Sequence, residues 1–143
     1  LKSSQLTHLP ESIGNLINLK EIDLWFSHLS SLPASIGKLC NLETLKIQGN
    51  HLTGLPESIG NLTNLREICL SENGLTELPD SILNLRQLRK LNLENNALTH
   101  LPELIGKLTS LTELYLTGNA LPESEVDRIN EILCDQLAFE IDY

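Results

Sequence analysis

The sequence predicts an α/β solenoid, a fold in which similar units stack to build one parallel sheet. Leucines recur every 23 residues, and a Leu-Pro pair recurs in each unit. A fixed period in the range of about 20 to 50 residues indicates units that cannot bury their apolar faces alone and therefore stack on their neighbours. The leading leucines of the units are Leu19, Leu42, Leu65, Leu88 and Leu111.

Each unit contains one predicted strand. Apolar and variable residues alternate, as in Ile22-Asp-Leu24 and Leu91-Asn-Leu93, which is the pattern of a strand of about five residues buried on one face. Successive strands lie 23 residues apart, too far for a hairpin, so we expect them to run parallel. The variable residues then form an exposed face, and the return segments cross the opposite, convex side.

The return segments are predicted to be short helical turns. Proline is suited to the first helical position, an acidic residue to the first turn, and glycine to the end of a helix. We expect the isoleucines and leucines of these turns to pack inward. The residues concerned are the prolines at 10, 33, 56, 79 and 102, Gly14, Gly37, Gly60 and Gly106 with Leu83 as the exception, Ile13, Ile36, Ile59, Ile82 and Ile105, and Leu16, Leu39, Leu62, Leu85 and Leu108.

An asparagine follows each strand at the point where the chain turns into the core. A buried amide has donors and an acceptor that can satisfy backbone groups of its own unit and of the neighbouring one. The predicted ladder is Asn50, Asn73, Asn96 and Asn119, with Ser4 and Ser27 in the same column of the first units. We expect the turns at those serines to be held less firmly.

The C-terminal segment departs from the repeat. Val126, Ile129 and Leu133 have helical spacing, and Ser124-x-x-Asp127 resembles a capping box. Counting 23 residues onward from Leu114 predicts a last strand over Leu137–Ile141. The chain is thus expected to be a single domain over residues 1–143, with a truncated first repeat (1–18), repeats (19–121) and a C-terminal cap (122–143).

The frame LxxLxLxxNxLxxLPxxIGxLxx resembles the 23-residue leucine-rich repeat family, including its spirochaete and intracellular scaffold members. The resemblance implies a right-handed horseshoe with a concave parallel sheet, used for protein recognition. It extends to Roco-type GTPases, in which such repeats are one part of an enzyme. A bacterial effector is a further role found among such proteins.

The net charge of the chain limits the classes of partner that it is expected to bind. Nineteen acidic and ten basic residues give a net charge of −9, which disfavours phosphate backbones and anionic membranes. We expect no nucleic acid and no membrane partner.

Three cysteines without clustered spacing suggest neither disulfides nor zinc. The chain starts at Leu1 with no leader, as a fragment would. We expect a reducing, cytoplasmic compartment, with export from a bacterial cell as the alternative.

The outward strand positions are the candidate site. Exposed aromatic residues on a concave surface are typical binding anchors, although Trp25 and Phe26 can instead cover the turn at Ser27. Charged residues there either match a partner or solvate the sheet. The candidate binding residues are Asp23, Trp25, Phe26, Lys46, Gln48, Cys69, Asn92, Glu94 and Tyr115.

Catalysis is not predicted. The sequence contains no recognisable nucleophile and base pair, phosphate loop or carboxylate dyad. His28 and His51 share a column in adjacent units, but without a third ligand in that column, exposed loop histidines are the favoured reading, and no metal or cofactor is expected.

Two functions from different classes are therefore predicted. The first is a non-enzymatic module that binds a protein or peptide on the concave face. The alternative is the substrate-recognition or regulatory arm of a larger enzyme, such as a ubiquitin ligase effector or a Roco-type GTPase. The reading frame around the chain distinguishes them. Self-association through the apolar edge at Leu1, Leu6 and Leu9 is a further expectation.

Overall fold

The computed structural model describes residues 6–134 and the backbone of residues 141–142. Six parallel strands form one sheet whose strand order follows the chain. The strands are β1 (Glu21–Asp23), β2 (Thr44–Lys46), β3 (Glu67–Cys69), β4 (Lys90–Asn92), β5 (Glu113–Tyr115) and β6 (Ile141–Asp142). The return segments carry 3-10 helices, η1 (Glu11–Asn15), η2 (Ala34–Lys38), η3 (Glu57–Asn61), η4 (Asp80–Asn84) and η5 (Ile105–Lys107), and α1 (Glu123–Leu133) follows β5. The predicted fold class is confirmed.

The strands β1 to β5 have three residues each, not the five expected. The hydrogen bonds nevertheless continue past them: the Leu24 amide donates to the Lys46 carbonyl at 2.8 Å, and the Phe26 amide to the Gln48 carbonyl at 2.9 Å. Regular pairing stops because the backbone then turns through a left-handed residue. Five residues at the 23-residue spacing have positive φ: Phe26 (47°), Gly49 (66°), Glu72 (55°), Asn95 (53°) and Gly118 (76°).

The strand register follows the repeat from β1 to β5, since each residue pairs with the residue 23 positions later, as Ile68 does with Leu91. The last strand differs. Leu114 pairs with Ile141 rather than with the predicted Leu137, which lies outside the described residues. The prediction was wrong because α1 has eleven residues where the other return segments have helices of five or three, so the chain needs more residues to reach the sheet again.

The core lies between the sheet and the 3-10 helices. Leu91 and Leu114 of the strands, and Ile59 and Ile82 of the helices, are inaccessible to solvent. The predicted inward position of Leu16 is wrong, since that side chain is 52% exposed. Leu16 belongs to the first layer of the described solenoid, residues 6–24. None of the described residues stacks on the outer side of that layer.

The prolines at 10, 33, 56 and 79 occupy the cap position just before each helix, with extended backbone, rather than the predicted first helical position. Their carbonyls accept the first helical hydrogen bond, as Pro56 does from the Ile59 amide at 2.9 Å. Proline suits this place because it has no N–H to satisfy and its φ is already fixed.

The glycines of the return segments lie inside the 3-10 helices, not at their ends. A Cβ on Gly60 would lie 2.5 Å from the Ser81 carbonyl oxygen and 2.7 Å from Ser81 Cβ. Glycine is therefore needed because adjacent helices touch there, Gly against Ser. At the next junction both positions carry leucine, Leu83 and Leu104, and η5 begins only at Ile105. A cleft of about 310 Å³ opens between η4 and η5.

The helix α1 begins directly after Pro122, and no side chain caps it. The predicted capping box is wrong, because Ser124 already lies inside the helix and cannot adopt the extended backbone of a cap. Ile129 and Leu133 are buried against the last repeat, as the amphipathic spacing predicted. No described helix has the length and apolarity that a membrane crossing requires.

A pair of charged residues attaches α1 to the last repeat. Glu125 Oε1 accepts a hydrogen bond from the Leu101 amide at 2.8 Å. Arg128 donates to the Leu101 carbonyl at 3.0 Å and the Glu103 carbonyl at 3.1 Å, and also bonds both oxygens of Glu125. These bonds join α1 to the backbone of the last return segment.

Attachment of α1 should weaken in acid. The hydrogen bonds from Arg128, followed by that from the Leu101 amide, hold the pKa of Glu125 below its usual value. A lowered folded-state pKa stabilises the fold above the pKa of the unfolded state, about 4.3, and this contribution is lost as the pH falls through the lower folded-state value. When the pH is lowered from neutral to 3, hydrogen exchange should show that the amides of residues 123–133 lose their protection before those of the repeats. In Glu125→Gln this extra acid sensitivity should be absent. If α1 of that variant opened in acid as it does in the wild-type chain, the assignment would be contradicted.

The first layer should be the least stable part of the described solenoid. Leu16 and Ile17 are more than half exposed, so this layer buries apolar area on one side only. We expect amides of residues 6–24 to exchange faster than those of β3 and β4 in a dilute monomer. Slow exchange across the first layer, equal to that of β4, would contradict this.

Candidate functional site

The exposed side of the sheet presents three columns of side chains, which we call the concave face. Pairing of the strands places adjacent members of a column in neighbouring repeats, about 4.8 Å apart. The first column is Glu21, Thr44, Glu67, Lys90 and Glu113; the second is Asp23, Lys46, Cys69, Asn92 and Tyr115; the third is Trp25, Gln48, Ser71, Glu94 and Thr117.

A cluster at β5 holds Tyr115 in place. Its hydroxyl donates to Glu113 Oε2 at 3.0 Å, and Lys90 Nζ lies 5.2 Å from the centre of its ring. Lys90 Nζ is also 3.1 Å from Glu113. The hydrogen bonds from Lys90 and Tyr115 lower the pKa of Glu113, and the one to Glu113 raises the pKa of Lys90. Tyr115 is therefore part of a preformed charged cluster, which its position in the sequence did not indicate.

Charges alternate in the middle of the concave face. Lys46 Nζ lies 3.9 Å from Glu21 and 3.8 Å from Glu67, one on each side. Asn92 Nδ2 donates to Glu94 Oε2 at 2.8 Å. Asp23 is exposed at the edge of the sheet. Surface pairs of this kind contribute little to stability, so they chiefly fix the positions of their side chains.

The thiol of Cys69 is half-buried, and its Sγ lies 3.7 Å from Ser71 Oγ. A serine hydroxyl is not a base that would generate a thiolate. The Ser71 hydroxyl gives this cysteine a polar contact on the concave face.

Two aromatic residues lie at the β1 end of the concave face. Trp25 is half-buried, and its indole Nε1 is buried without an acceptor in the described residues, as is Gln48 Oε1 in the next repeat without a donor. Phe26 is 55% exposed, with its ring so close to Gly49 that a Cβ there would be 2.4 Å from Phe26 Cδ1. The ring thus contacts the turn at Gly49 in the next repeat, which is not the turn at Ser27 that the alternative interpretation named, and just over half of the residue is exposed.

The asparagine ladder lies below this edge. Asn50 Oδ1 accepts from the Leu29 amide at 3.0 Å, and its Nδ2 donates to the Leu24 carbonyl at 2.9 Å. Asn73, Asn96 and Asn119 repeat this pattern with half-buried side chains. Ser27, in the same column, is buried.

A second amide column, at the start of the strands, was missed from the sequence. Asn41 Nδ2 donates to the Ile17 carbonyl at 2.9 Å, and Asn64 Nδ2 to the Cys40 carbonyl at 2.7 Å. Gln87 continues it by donating to Asn64 Oδ1 at 3.3 Å. The 23-residue recurrence of amide side chains was the signal that could have revealed it.

The histidines fall into two kinds. His28 and His51 are exposed neighbours, with His28 Nδ1 3.3 Å from His51 Nε2. His8 and His100 each lie beside the preceding threonine, Thr7 or Thr99. Among the described residues, no group of three or more His, Cys, Asp or Glu side chains is arranged to hold a metal ion.

Known proteins share this architecture. A structure of a Leptospira interrogans leucine-rich repeat protein is 37% identical with a TM-score of 0.92, over 97% of this chain and 35% of that one. The plant peptide hormone receptor RGFR1, in complex with RGF2, is 42% identical with a TM-score of 0.73, over 78% of this chain and 19% of that one. A TDR receptor is 38% identical with a TM-score of 0.71, over 78% and 20%. The chain spans about a third of the Leptospira protein and about a fifth of each receptor.

A family model described as a leucine-rich repeat region matches residues 1–69 and 37–134. No curated protein matches. The matched ranges contain every repeat that the described sheet and helices define between β1 and β5. The chain therefore belongs to the leucine-rich repeat family.

Proposed function

We propose that the concave face binds another protein or a peptide, with Trp25 and Phe26 as the main apolar contact. The observation that carries the proposal is Phe26, a bulky aromatic residue that is 55% exposed while its backbone is left-handed at a φ of 47°. This left-handed turn recurs in the following repeats at Gly49, Glu72, Asn95 and Gly118, so it belongs to the fold, and it is costly for a residue other than Gly, Asn or Asp. The choice of an exposed phenylalanine at a position where glycine would cost less supports a use in recognition.

Similarity to other proteins supports a role in recognition. The receptor RGFR1 was determined in complex with RGF2, and repeats of this kind commonly serve as interaction modules. In this chain, Lys46 and the Lys90, Glu113 and Tyr115 cluster are held by contacts that exist before any partner arrives. A preformed surface loses less side-chain entropy on binding.

The aromatic end should be the energetic centre of binding. Aromatic anchors bury large area at low entropic cost, so Phe26→Ala should weaken capture of the physiological partner by roughly tenfold or more, a loss of about 1.4 kcal/mol. Tyr115→Ala should weaken it too if the partner crosses the whole face. Partners would be trapped with the wild-type chain, identified, and titrated against each variant.

A matched control lies on the convex side. Leu104 is 51% exposed, close to the 55% of Phe26, so Leu104→Ala removes a comparable apolar surface from the opposite face. It should leave the affinity unchanged, as should Lys107→Ala. Retained affinity in Phe26→Ala and Tyr115→Ala, with loss in Leu104→Ala, would place the site in the cleft between η4 and η5 and overturn the proposal.

The alternative role, as the recognition arm of a larger enzyme, uses the same face. Since the chain spans a minor part of each similar structure, the activity of any whole protein is a separate question. The open reading frame on either side of residues 1–143 would answer it. A GTPase or ligase domain in that frame would make the concave face a substrate or regulator site.

A further inference from the structure

The side chains of His28 and His51 form a pair of imidazoles that the proposed binding function does not use. The nearest nitrogens, His28 Nδ1 and His51 Nε2, are 3.3 Å apart and share a hydrogen bond whose donor depends on the tautomer. The ring centroids are 5.5 Å apart and the planes are inclined by 23°. Both side chains are exposed, so solvent and dissolved ions reach them freely.

The repeat itself fixes the two backbones relative to each other. The His28 amide donates to the Leu6 carbonyl at 3.0 Å, and the His51 amide to the Leu29 carbonyl at 2.9 Å, one repeat further on. Nearby, Asn50 accepts the Leu29 amide. The Cα atoms of the two histidines are therefore held by ordered backbone, and only the side-chain torsions remain free.

The separation of the two nitrogens fits a metal ion. Zinc binds imidazole nitrogen at about 2.0 to 2.1 Å with tetrahedral angles, which places two ligand nitrogens about 3.3 Å from each other. The observed distance is the same. The ion would take the place of the shared hydrogen, and each ring must turn by roughly 35° so that its lone pair points at the metal rather than at the other nitrogen.

We propose that His28 and His51 chelate one divalent transition-metal ion of the zinc, nickel or copper class. Imidazole suits these ions, whereas magnesium and calcium prefer oxygen ligands. Two protein ligands leave two tetrahedral positions to water. This inference goes beyond the proposed binding face and does not depend on it, because the pair lies in the loop after β1 and β2 rather than on the three columns.

The test is isothermal titration of the folded chain with zinc chloride slightly above neutral pH. We expect one ion per chain, loss of that binding event in His28→Gln and in His51→Gln, and its retention in His100→Gln. An excess of magnesium chloride should not compete. Because both histidines are exposed, the variants should keep the wild-type circular dichroism spectrum, and this is checked first.

Two readouts separate the proposal from other zinc binding. Zinc should shift the imidazole resonances of His28 and His51 in NMR spectra but leave those of His8 and His100 in place. Half an ion per chain would mean that two molecules share the metal, which would overturn the single-chain site. Absence of binding at millimolar zinc would overturn the proposal, as would equal binding by wild type and both pair variants, which would move the ion to the acidic residues of α1.

Discussion

Leu91→Ala should lower the free energy of unfolding by about 2 to 5 kcal/mol. Leu91 is fully buried in the middle of β4, with Ile68 and Leu114 as its partners in the neighbouring strands. Truncation loses the transfer free energy of the side chain and leaves a cavity. Stacked layers on both sides are fixed by backbone hydrogen bonds, so the walls cannot readily move in to fill it.

The control is the same truncation in an exposed leucine. Leu104 is 51% exposed, and Leu104→Ala should change stability by less than about 1 kcal/mol, as is usual for surface positions. Urea unfolding followed by circular dichroism measures both. Similar losses from the two truncations would mean that β4 is not the centre of a continuous core.

Asn96→Ala should cost about 1 to 3 kcal/mol, because the buried Leu75 amide would lose its acceptor and three carbonyls would each lose one of two hydrogen bonds. Asn96 Nδ2 donates to the carbonyls of Leu70 at 3.0 Å, Leu93 at 2.9 Å and Glu94 at 3.2 Å. Its Oδ1 accepts from the Leu75 amide at 3.0 Å. One side chain thus joins two repeats at the turn after the strand.

Two further variants make this prediction specific. Asn92→Ala removes an amide that, within the described part of the chain, bonds to the neighbouring Glu94 on the concave face, and it should change stability little. Asn96→Asp keeps the acceptor for the Leu75 amide but places a carboxylate oxygen against the carbonyls of Leu70, Leu93 and Glu94, so it should destabilise nearly as much as Asn96→Ala. Equal urea midpoints for Asn92→Ala and Asn96→Ala would refute the ladder.

Much of the fold could be predicted because the repeat supplies each inference five times. The period fixed the pairing of strands such as β3 with β4, and the leucine columns identified the core. The exceptions occur where periodicity ends. Ile141 pairs with Leu114 through a longer connection, and Leu16 lies in a layer that is covered on one side only.

Other features could not be predicted from the sequence, because they depend on distances between repeats. The glycine at position 60 was read as a helix end, whereas its lack of a Cβ is required by contact with Ser81. The facing pair of Leu83 and Leu104 replaces such a contact and opens the convex cleft. A one-dimensional pattern shows that two columns recur but not that their members touch.

The concave face was foreseen as three columns, but not its internal contacts. Tyr115 was expected to be an open anchor, and it is instead bonded to Glu113 beneath Lys90. Phe26 was expected at the edge, and its side chain is 55% exposed while its ring contacts Gly49. Side-chain torsions decide such contacts, and sequence columns do not determine them.

NMR shift mapping of the isotope-labelled chain with its captured partner tests the central claim most directly. We expect the largest changes in residues 21–26, 44–49, 67–72, 90–95 and 113–118, the strands and their outward extensions. Side-chain signals of Trp25 and Phe26 should shift most. Changes confined instead to residues 80–84, 105–107 and 123–133, which form η4, η5 and α1, would show that the partner binds the convex side and would contradict concave recognition.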